Sequence, residues 1–249
     1  MIHLLTQLIR QHPEWLKTSH AALSFMKIST PASGAELGKG KVLLLVFEEG
    51  EIIPTLCVKT VRTYFAAGII RRNYENLKLL EEGVRGSKFT QMFAGPLYLY
   101  DDREVVFSVE TVCPGVRFSA EARGIELVME KYIAWQSYLA QNTKKFQTLG
   151  QDIQLPILTQ HGDMTPDNVL TSDKSIYLID YDCAGEINLP GFDLFNFLSK
   201  TRSRPEILDS YYKQYFPRYF RSVGVHVKSY DILFPFYHEE ESNRKAKKS

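Results

Sequence analysis

A Pro-Gly pair at positions 114 and 115 divides the sequence into two parts of different character. Proline and glycine interrupt regular structure, so neither a helix nor a strand is expected to pass through this point. Short runs of β-branched and aromatic residues dominate before the pair, and helical periodicity dominates after it. The sequence therefore predicts an α+β fold in two lobes, 1–112 and 113–249, joined by a hinge near 112–116.

The first lobe is expected to contain a small antiparallel sheet. An amphipathic helix over 2–20 precedes three strand-like runs that turn-forming residues separate, which is typical of an antiparallel meander. A helical pattern over 64–82 stops at Gly83, a residue suited to a helix C-terminus, and two further strands follow. The five predicted strands are 22–28, 41–48, 52–60, 95–100 and 105–112.

The second lobe is expected to be mainly helical. Apolar residues recur at helical spacing over 125–139, with Ser119 as the expected N-cap. A polar connector over 142–154 and a strand over 176–180 follow, and the remainder of the lobe has a helical pattern. Most of the aromatic residues beyond position 210 are expected in the core. The charged runs 239–241 and 244–248 are expected to form a solvated tail.

Composition and charge narrow the classes of partner. The 249 residues include 30 Lys and Arg against 29 Asp and Glu, a net charge of +1 that offers no basic surface for nucleic acid. The longest apolar run, 42–47, is far shorter than the about 20 residues that a membrane-spanning helix needs. Cys57, Cys113 and Cys183 are too widely spaced for a disulfide framework or a zinc site, which predicts a reducing, cytoplasmic setting. Any metal is expected to be bound through oxygen ligands.

The segment His161-Gly-Asp-Met-Thr-Pro-Asp-Asn168, followed by Ile179-Asp-Tyr-Asp182, carries the residues best suited to chemistry. Phosphoryl transfer from a nucleotide needs a carboxylate to orient the acceptor hydroxyl, together with oxygen ligands for Mg²⁺. Asp163, Asn168 and Asp180 supply these groups. The first two share one compact loop, and a hairpin is expected to bring the third back to them. The alternative is a polar turn that precedes a buried strand.

These two segments resemble the motif of the aminoglycoside phosphotransferase and choline kinase family, small-molecule kinases related to protein kinases. The resemblance implies a bilobal protein-kinase-like fold with ATP and Mg²⁺ in the cleft between the lobes. It also implies that Asp163 is the catalytic base and that Asn168 and Asp180 are magnesium ligands. The segment Gly191-Phe-Asp-Leu194 resembles a structural element of the family, in which Asp193 braces the catalytic loop and is not a catalyst.

The kinase resemblance requires a lysine at the end of the third strand that binds the phosphates, and a glutamate on the next helix that holds it. Lys59 and Glu75 are predicted to fill these two places. Glycines between the first two strands are expected to cover the phosphates, although their order departs from Gly-x-Gly-x-x-Gly and a flexible hairpin turn explains them equally well. Backbone groups at the hinge are expected to bind adenine. The residues concerned are Gly34, Gly38 and Gly40 in the loop, and Glu110, Thr111 and Val112 at the hinge.

The sequence thus predicts an ATP- and Mg²⁺-dependent enzyme that transfers the γ-phosphate to a hydroxyl of a small-molecule acceptor. His161-Gly-Asp163 resembles the small-molecule branch, whereas protein kinases usually carry His-Arg-Asp, and no recognisable activation segment follows Asp180. Sugars, amino alcohols and related metabolites all suit such an enzyme as acceptors. The alternative, which the irregular glycine order leaves open, is a catalytically silent nucleotide-binding or regulatory protein with the same fold.

Overall fold

The computed structural model describes residues 1–19, 21–29, 40–120, 122–149, 153–201, 204–226 and 229–248. The chain forms two compact units. The first comprises Met1–Glu81 and Ala94–Cys113, and the second comprises Glu82–Phe93 and Pro114–Ser249. The C-terminal segment of the second unit begins at Pro114, at the Pro-Gly pair where the sequence pattern changes from strand-like to helical.

An antiparallel sheet forms most of the first unit. Its strands are β1 (Leu23–Ser29), β2 (Lys41–Glu48), β3 (Leu56–Val61), β4 (Pro96–Asp101) and β5 (Val106–Thr111). Their order in the sheet is β1-β2-β3-β5-β4, so β3 and β5 are paired at its centre although a helix and β4 lie between them in sequence. The predicted meander and the two later strands are confirmed, and their ends lie within four residues of the predicted positions.

One face of this sheet packs on an N-terminal helix, α1 (Ile2–Gln11). Leu5, Leu8 and Ile9 of α1 are buried in one apolar cluster with side chains from β2, β3 and β5. The sheet residues of the cluster are Leu44, Val46, Leu56, Val58, Phe107 and Val109. The predicted helix over 2–20 is too long, because Pro13 disfavours helical backbone at the residue before it and a 3₁₀ turn over Pro13–Trp15 follows instead.

The second helix, α2 (Ala67–Val84), follows β3 through a 3₁₀ turn at Tyr64–Ala66. The prediction that this helix stops before Gly83 is wrong, because Gly83 lies in its last turn. Val84 is buried, and its burial favours a further helical residue at a glycine cost of only about 1 kcal/mol. The left-handed backbone that is typical of a helix end occurs at Gly86, which has a φ of +74°.

The described part of the second unit contains four helices and seven short strands. The helices are α3 (Ala122–Asn142), α4 (Phe192–Lys200), α5 (Pro205–Ser222) and α6 (Phe234–Lys248). The strands are β6 (Val116–Arg117), β7 (Phe146–Leu149), β8 (Ile153–Pro156), β9 (Leu158–Gln160), β10 (Val169–Thr171), β11 (Ile176–Leu178) and β12 (Gly185–Ile187). β10 pairs with β11 and β6, β9 pairs with β12, and β7 pairs with β8, all antiparallel.

Two expectations for this unit are corrected by the structure. The connector predicted over 142–154 contains β7 and the start of β8, whose polar side chains hide the strand period. Ser119 does not cap α3, because the helix begins three residues later. The backbone of the run 244–248 continues α6, which agrees with the high helix propensity of Lys and Arg, and its solvation stays a prediction.

Aromatic side chains form much of the core of the second unit. Tyr132 and Trp135 of α3 are fully buried, and their rings meet edge to face at 5.4 Å. The prediction that most C-terminal aromatic residues lie in the core is confirmed for Tyr211, Tyr215, Phe216, Tyr219, Phe220 and Tyr237. In the described part of the chain, no helix combines the length and apolar character needed to span a bilayer.

We expect Leu5→Ala to lower the free energy of unfolding by about 2–5 kcal/mol, because it removes a fully buried side chain and leaves a cavity between α1 and the sheet. Ile2→Ala is the matched control on the same helix, since Ile2 is 50% exposed and the expected change is within about 0.5 kcal/mol. Urea unfolding of both variants measures the difference. Equal stability of the two variants would contradict the packing of α1 on the sheet.

Candidate functional site

The loop that carries Asp163 lies between β9 and β10 and closes on itself. A 3₁₀ turn over Pro166–Asn168 ends the loop, with the Asn168 N–H donating to the Thr165 carbonyl at 3.0 Å. The side-chain Nδ2 of Asn168 donates to the carbonyl of Asp163 at 2.9 Å. This bond fixes the Asn168 amide and leaves its carbonyl oxygen as the atom suited to a cation.

The β10–β11 hairpin brings Asp180 to the same end of the loop, as the sequence predicts. Val169 and Leu178 are partners in its register, and the Asn168 carbonyl accepts a hydrogen bond from the Ile179 N–H at 3.0 Å. Asp180 follows directly. Its φ of +68° is uncommon outside glycine, although aspartate tolerates it better than most residues. Strained backbone of this kind clusters at functional sites, which favours a functional role for Asp180.

His161 ties the start of the loop to the residue before Asp180. Its ring is fully buried, and Nε2 lies 2.9 Å from the Ile179 carbonyl oxygen. Because a carbonyl only accepts, Nε2 must carry the proton in this contact. His161 therefore positions the backbone next to Asp180.

Asp193, in the first turn of α4, anchors the loop from below. Its carboxylate is fully buried and accepts hydrogen bonds from the backbone N–H groups of His161 at 2.6 Å and Gly162 at 2.8 Å. Asn196, one turn later, donates from Nδ2 to the Met164 carbonyl at 3.3 Å. The prediction that Asp193 supports the loop is confirmed, and the contact explains why this carboxylate is buried.

Gly191, the residue at which α4 begins, has a backbone that few other residues could adopt. Its φ is +86°, and a Cβ atom here would lie 3.0 Å from both Tyr219 Cε1 and the Tyr237 hydroxyl. Only glycine lets the chain turn this closely against the aromatic core. This turn also places Asp193 within hydrogen-bonding distance of the loop backbone.

Two residues that the sequence did not identify complete this support. The Tyr132 hydroxyl on α3 lies 3.1 Å from Gln160 Oε1 and 3.3 Å from Asp193 Oδ2. Burial, with the Asp193 charge as a further cause, raises the pKa of Tyr132 well above its usual value, so the hydroxyl remains a donor. Gln160 also donates from Nε2 to the Leu189 carbonyl at 3.0 Å. Tyr132 occupies a position that the apolar pattern assigns to the core, and the sequence gives no sign of the polar contacts of either residue.

In the first unit, Lys59 is buried and its ammonium group contacts residues from a strand and a helix. Nζ lies 2.7 Å from Glu110 Oε1 on β5 and donates to Asn73 Oδ1 on α2 at 3.2 Å. Lys59 and Glu110 are each 5% exposed, and Asn73 is fully buried. A lysine at the end of β3 is therefore held inside the unit, where the sequence predicts a nucleotide-binding lysine.

The predicted partnership between Lys59 and Glu75 is wrong. The Glu75 side chain is 59% exposed, and its carboxylate lies 4.0 Å from Lys78 on the surface of α2. The reason is the helical phase: Asn73 lies on the buried face of α2, and two further residues turn the chain by about 200°. Glu75 consequently points away from the face that carries Asn73.

The remaining nucleotide-binding predictions are only partly covered by the structure. Gly34 and Gly38 lie outside the described residues, and Gly40 directly precedes β2. Glu110 lies within β5, with Cys57 and Pro96 as register partners on its two sides, and Val112 follows the end of that strand. The adenine-binding role of the backbone at Glu110 and Val112 stays a prediction.

Cys57 lies opposite Glu110 in the register of β3 and β5. Burial and the charge of Glu110 raise the pKa of the Cys57 thiol to about 12. A thiol with this pKa is protonated and a poor nucleophile at neutral pH. The cluster around Lys59 is therefore suited to holding a charge and not to thiol chemistry.

A pocket of about 400 Å³ opens beside the Asp163 loop in the second unit. Its lining residues are Phe118, Ala120, Thr165, Pro166, Asp167, Lys200 and Thr201. Thr165, Pro166 and Asp167 belong to the loop itself, between Asp163 and Asn168. Lys200 forms an ion pair with Glu241 of α6, and the Phe118 ring packs edge to face on Phe197 at 5.1 Å. The pocket offers an apolar wall, one exposed carboxylate and one paired lysine.

Asn168 and Asp180 are the residues here that fit Mg²⁺. Their amide and carboxylate oxygens are hard ligands, and magnesium is usually held by one or two such protein groups while phosphates and water complete its shell. Among the residues that the structure describes, no group of three or more His, Cys, Asp or Glu side chains is arranged to hold a metal on its own. The donor set agrees with a metal that is bound together with a phosphate ligand.

Comparison with solved structures identifies the fold. The chain matches the aminoglycoside phosphotransferase APH(3'')-Id of Streptomyces rimosus with a TM-score of 0.55 and 10% identity, over 92% of this chain and 94% of that one. It matches an aminoglycoside-3'-phosphotransferase of type VIII with a TM-score of 0.54 and 15% identity, over 87% and 93%. A mutant of APH(4)-Ia, solved with ADP and hygromycin B, matches with a TM-score of 0.53 and 11% identity, over 88% and 83%. No protein-family model and no curated protein matches the sequence.

These similarities establish the fold of the chain. The prediction of a protein-kinase-like α+β fold, similar to that of the aminoglycoside phosphotransferases, is confirmed at this level. Each of these structures matches this chain over most of its length, at identities of 15% or less.

We expect Asp193→Asn to lower the free energy of unfolding of the protein by about 2–4 kcal/mol, because it replaces a buried charged acceptor of two backbone N–H groups. Asp209→Asn on α5 is the matched control, since the Asp209 side chain is 55% exposed and its pair with Lys213 is a surface ion pair worth at most about 1 kcal/mol. Chemical unfolding measures both. A loss no larger than that of the control would contradict the anchoring role of Asp193.

Proposed function

We propose that this protein is an ATP- and Mg²⁺-dependent phosphotransferase that moves the γ-phosphate to a hydroxyl of a small molecule. The observation that carries the proposal is the joint fixing of three residues in the second unit. The Asn168 side chain is bonded to the backbone of Asp163, and the Asn168 backbone is bonded to the residue before Asp180. A carboxylate base and two oxygen ligands are thus held by one loop and one hairpin.

Each residue has a distinct role in this proposal. Asp163 accepts the proton of the acceptor hydroxyl while the hydroxyl oxygen forms a bond to the γ-phosphorus and the bond to ADP breaks. Asn168 and Asp180 hold Mg²⁺, which when bound neutralises charge on the phosphates. Lys59 binds the phosphates of the nucleotide.

The acceptor is proposed to be a small molecule such as a sugar, an amino alcohol or a related metabolite. The pocket beside the Asp163 loop has a volume suited to such a molecule, at about 400 Å³. Two of the structures with the same fold were solved with ADP together with streptomycin or hygromycin B. We propose that the acceptor occupies this pocket and that Asp167 binds one of its polar groups.

A catalytically silent nucleotide-binding protein is the second candidate. One observation favours it: α2 presents the neutral amide of Asn73 to Lys59, where the kinase resemblance requires a glutamate. The two candidates differ in turnover, since a silent protein binds nucleotide without consuming it.

We expect Asp163→Asn to lower kcat by about 10²–10⁴-fold and to leave the Kd for MgATP unchanged, because the variant removes a general base and keeps the shape of the loop. ATP consumption in the presence of a panel of sugars and amino alcohols measures kcat. Asp173→Asn, in the exposed turn of the β10–β11 hairpin, is the control with wild-type kcat. If no acceptor raises ATP consumption by the wild type above that of Asp163→Asn, the silent alternative is correct.

We expect Asp167→Ala to raise the KM for the acceptor about tenfold while the KM for ATP stays unchanged, because the variant removes a charged hydrogen-bond partner from the pocket alone. Steady-state kinetics with each substrate varied in turn separates the two constants. Asp173→Ala should change neither KM. An unchanged acceptor KM in Asp167→Ala would place the acceptor elsewhere.

A further inference from the structure

The charge partner of Lys59 comes from the sheet and not from the following helix. The Lys59 ammonium lies 2.7 Å from Glu110 Oε1, and both side chains are 7% exposed. The helix supplies the Asn73 amide oxygen, at 3.2 Å. Glu75, the helix glutamate that the sequence predicts to hold Lys59, is on the exposed surface.

Strand register explains how Glu110 reaches Lys59. Lys59 pairs with Ser108 across β3 and β5, and Cys57 pairs with Glu110. Paired residues share a face of a sheet and so do residues two apart, so these four side chains lie on one face. Glu110 is the diagonal neighbour of Lys59, a spacing that long side chains bridge readily. This is the face opposite to the one that packs on α1, to which Val58 and Val109 contribute.

A buried lysine needs a carboxylate close by. Removing an ammonium group from water is costly unless an opposite charge and further hydrogen bonds compensate for it. Asn73 is a hydrogen-bond acceptor but carries no charge, so the compensating charge at Lys59 comes from Glu110. A partner on β5 is joined to β3 by the backbone ladder of the sheet, whereas a partner on a helix moves with that helix.

We infer that Glu110 and Asn73 are the positioning residues of Lys59, with the sheet carboxylate taking the part that a helix carboxylate takes in related kinases. The inference rests on the proposed function, because it assigns the Lys59 ammonium to the nucleotide phosphates. It has a specific consequence: the position of Lys59 is set by the pairing of β3 with β5 and does not depend on a charge carried by α2. Moving the carboxylate from the strand to the helix should therefore preserve the function of the pair.

The test exchanges the two partners. We expect Glu110→Gln to raise the Kd for MgATP about 10- to 100-fold, the range expected for loss of a hydrogen bond between charged groups. Adding Asn73→Asp restores a carboxylate beside Lys59, and the double variant should return to within about threefold of the wild-type Kd. Glu75→Gln is the matched control, because it removes a carboxylate from the exposed face of the same helix, and its Kd should be unchanged. Titration calorimetry with MgATP gives all four values.

A wild-type Kd in Glu110→Gln, or loss of binding in Glu75→Gln, would overturn the inference while leaving the proposed function intact. Failure of the double variant to recover binding would overturn it as well, since a merely structural role of Glu110 predicts no rescue from Asn73. If Glu110→Gln alone does not fold, the double variant decides, because folding and MgATP binding must then both return with Asn73→Asp. Absence of MgATP binding by the wild type would remove the proposed function and the inference together.

Discussion

The buried carboxylate of Asp193 is the interaction on which the candidate site depends. It accepts the N–H groups of two successive residues, His161 and Gly162, directly before Asp163. These two hydrogen bonds fix the orientation of the backbone at His161 and Gly162. They thereby help to set the direction of the Asp163 side chain. Gly162, which follows His161, and Gly191, two residues before Asp193, have left-handed backbone with φ values of +76° and +86°. These conformations allow the loop and α4 to approach each other closely. The Asp193 charge, the glycine backbone conformations and the core packing therefore all help to hold the short loop that carries Asp163.

Asp180 is likewise positioned by hydrogen bonds between neighbouring groups. The side chain proposed to bind the metal lies at the open end of a three-residue hairpin strand, where the backbone is strained and tied by His161 and Asn168. His161, which has no proposed chemical role, thus helps to position a residue that is proposed to have one. In the first unit Glu110 and Asn73 stand in the same relation to Lys59. Both units thus place a charged group by means of buried neighbours and not by exposed loops.

The sequence predicts the loop of the second unit well because its information is local. Asp163, Asn168 and Asp180 are separated by one turn and one hairpin, and short separations leave few ways to arrange them. The partner of Lys59 was harder to predict, because it depends on the rotational phase of α2 and on a register between strands that are far apart in sequence. A one-residue change in either would exchange buried and exposed positions. The strands β7 and β8 were missed for another reason, since their polar side chains carry no alternation.

The fold is predictable from longer sequence patterns, which do not depend on the exact helical phase or strand register. The sequence predicts the five strands because short runs of β-branched and aromatic residues are separated by turn formers, and it predicts the long helices because their apolar spacing persists over several turns. Element ends were less predictable: α1 ends early at Pro13, and α6 continues through a charged segment that has no apolar face to reveal it. The Tyr132 and Gln160 contacts beneath the loop depend on tertiary packing alone.

The main proposal is that Lys59 binds the phosphates of a nucleotide and that Asp180 binds the Mg²⁺ that accompanies them. The most direct measurement compares the affinity for MgATP with the affinity for adenosine in Lys59→Met and Asp180→Ala, by titration calorimetry. Each variant should raise the Kd for MgATP by about tenfold or more and leave the Kd for adenosine unchanged, because each removes a group directed at phosphate or its metal. A wild-type Kd for MgATP in either variant would contradict the claim.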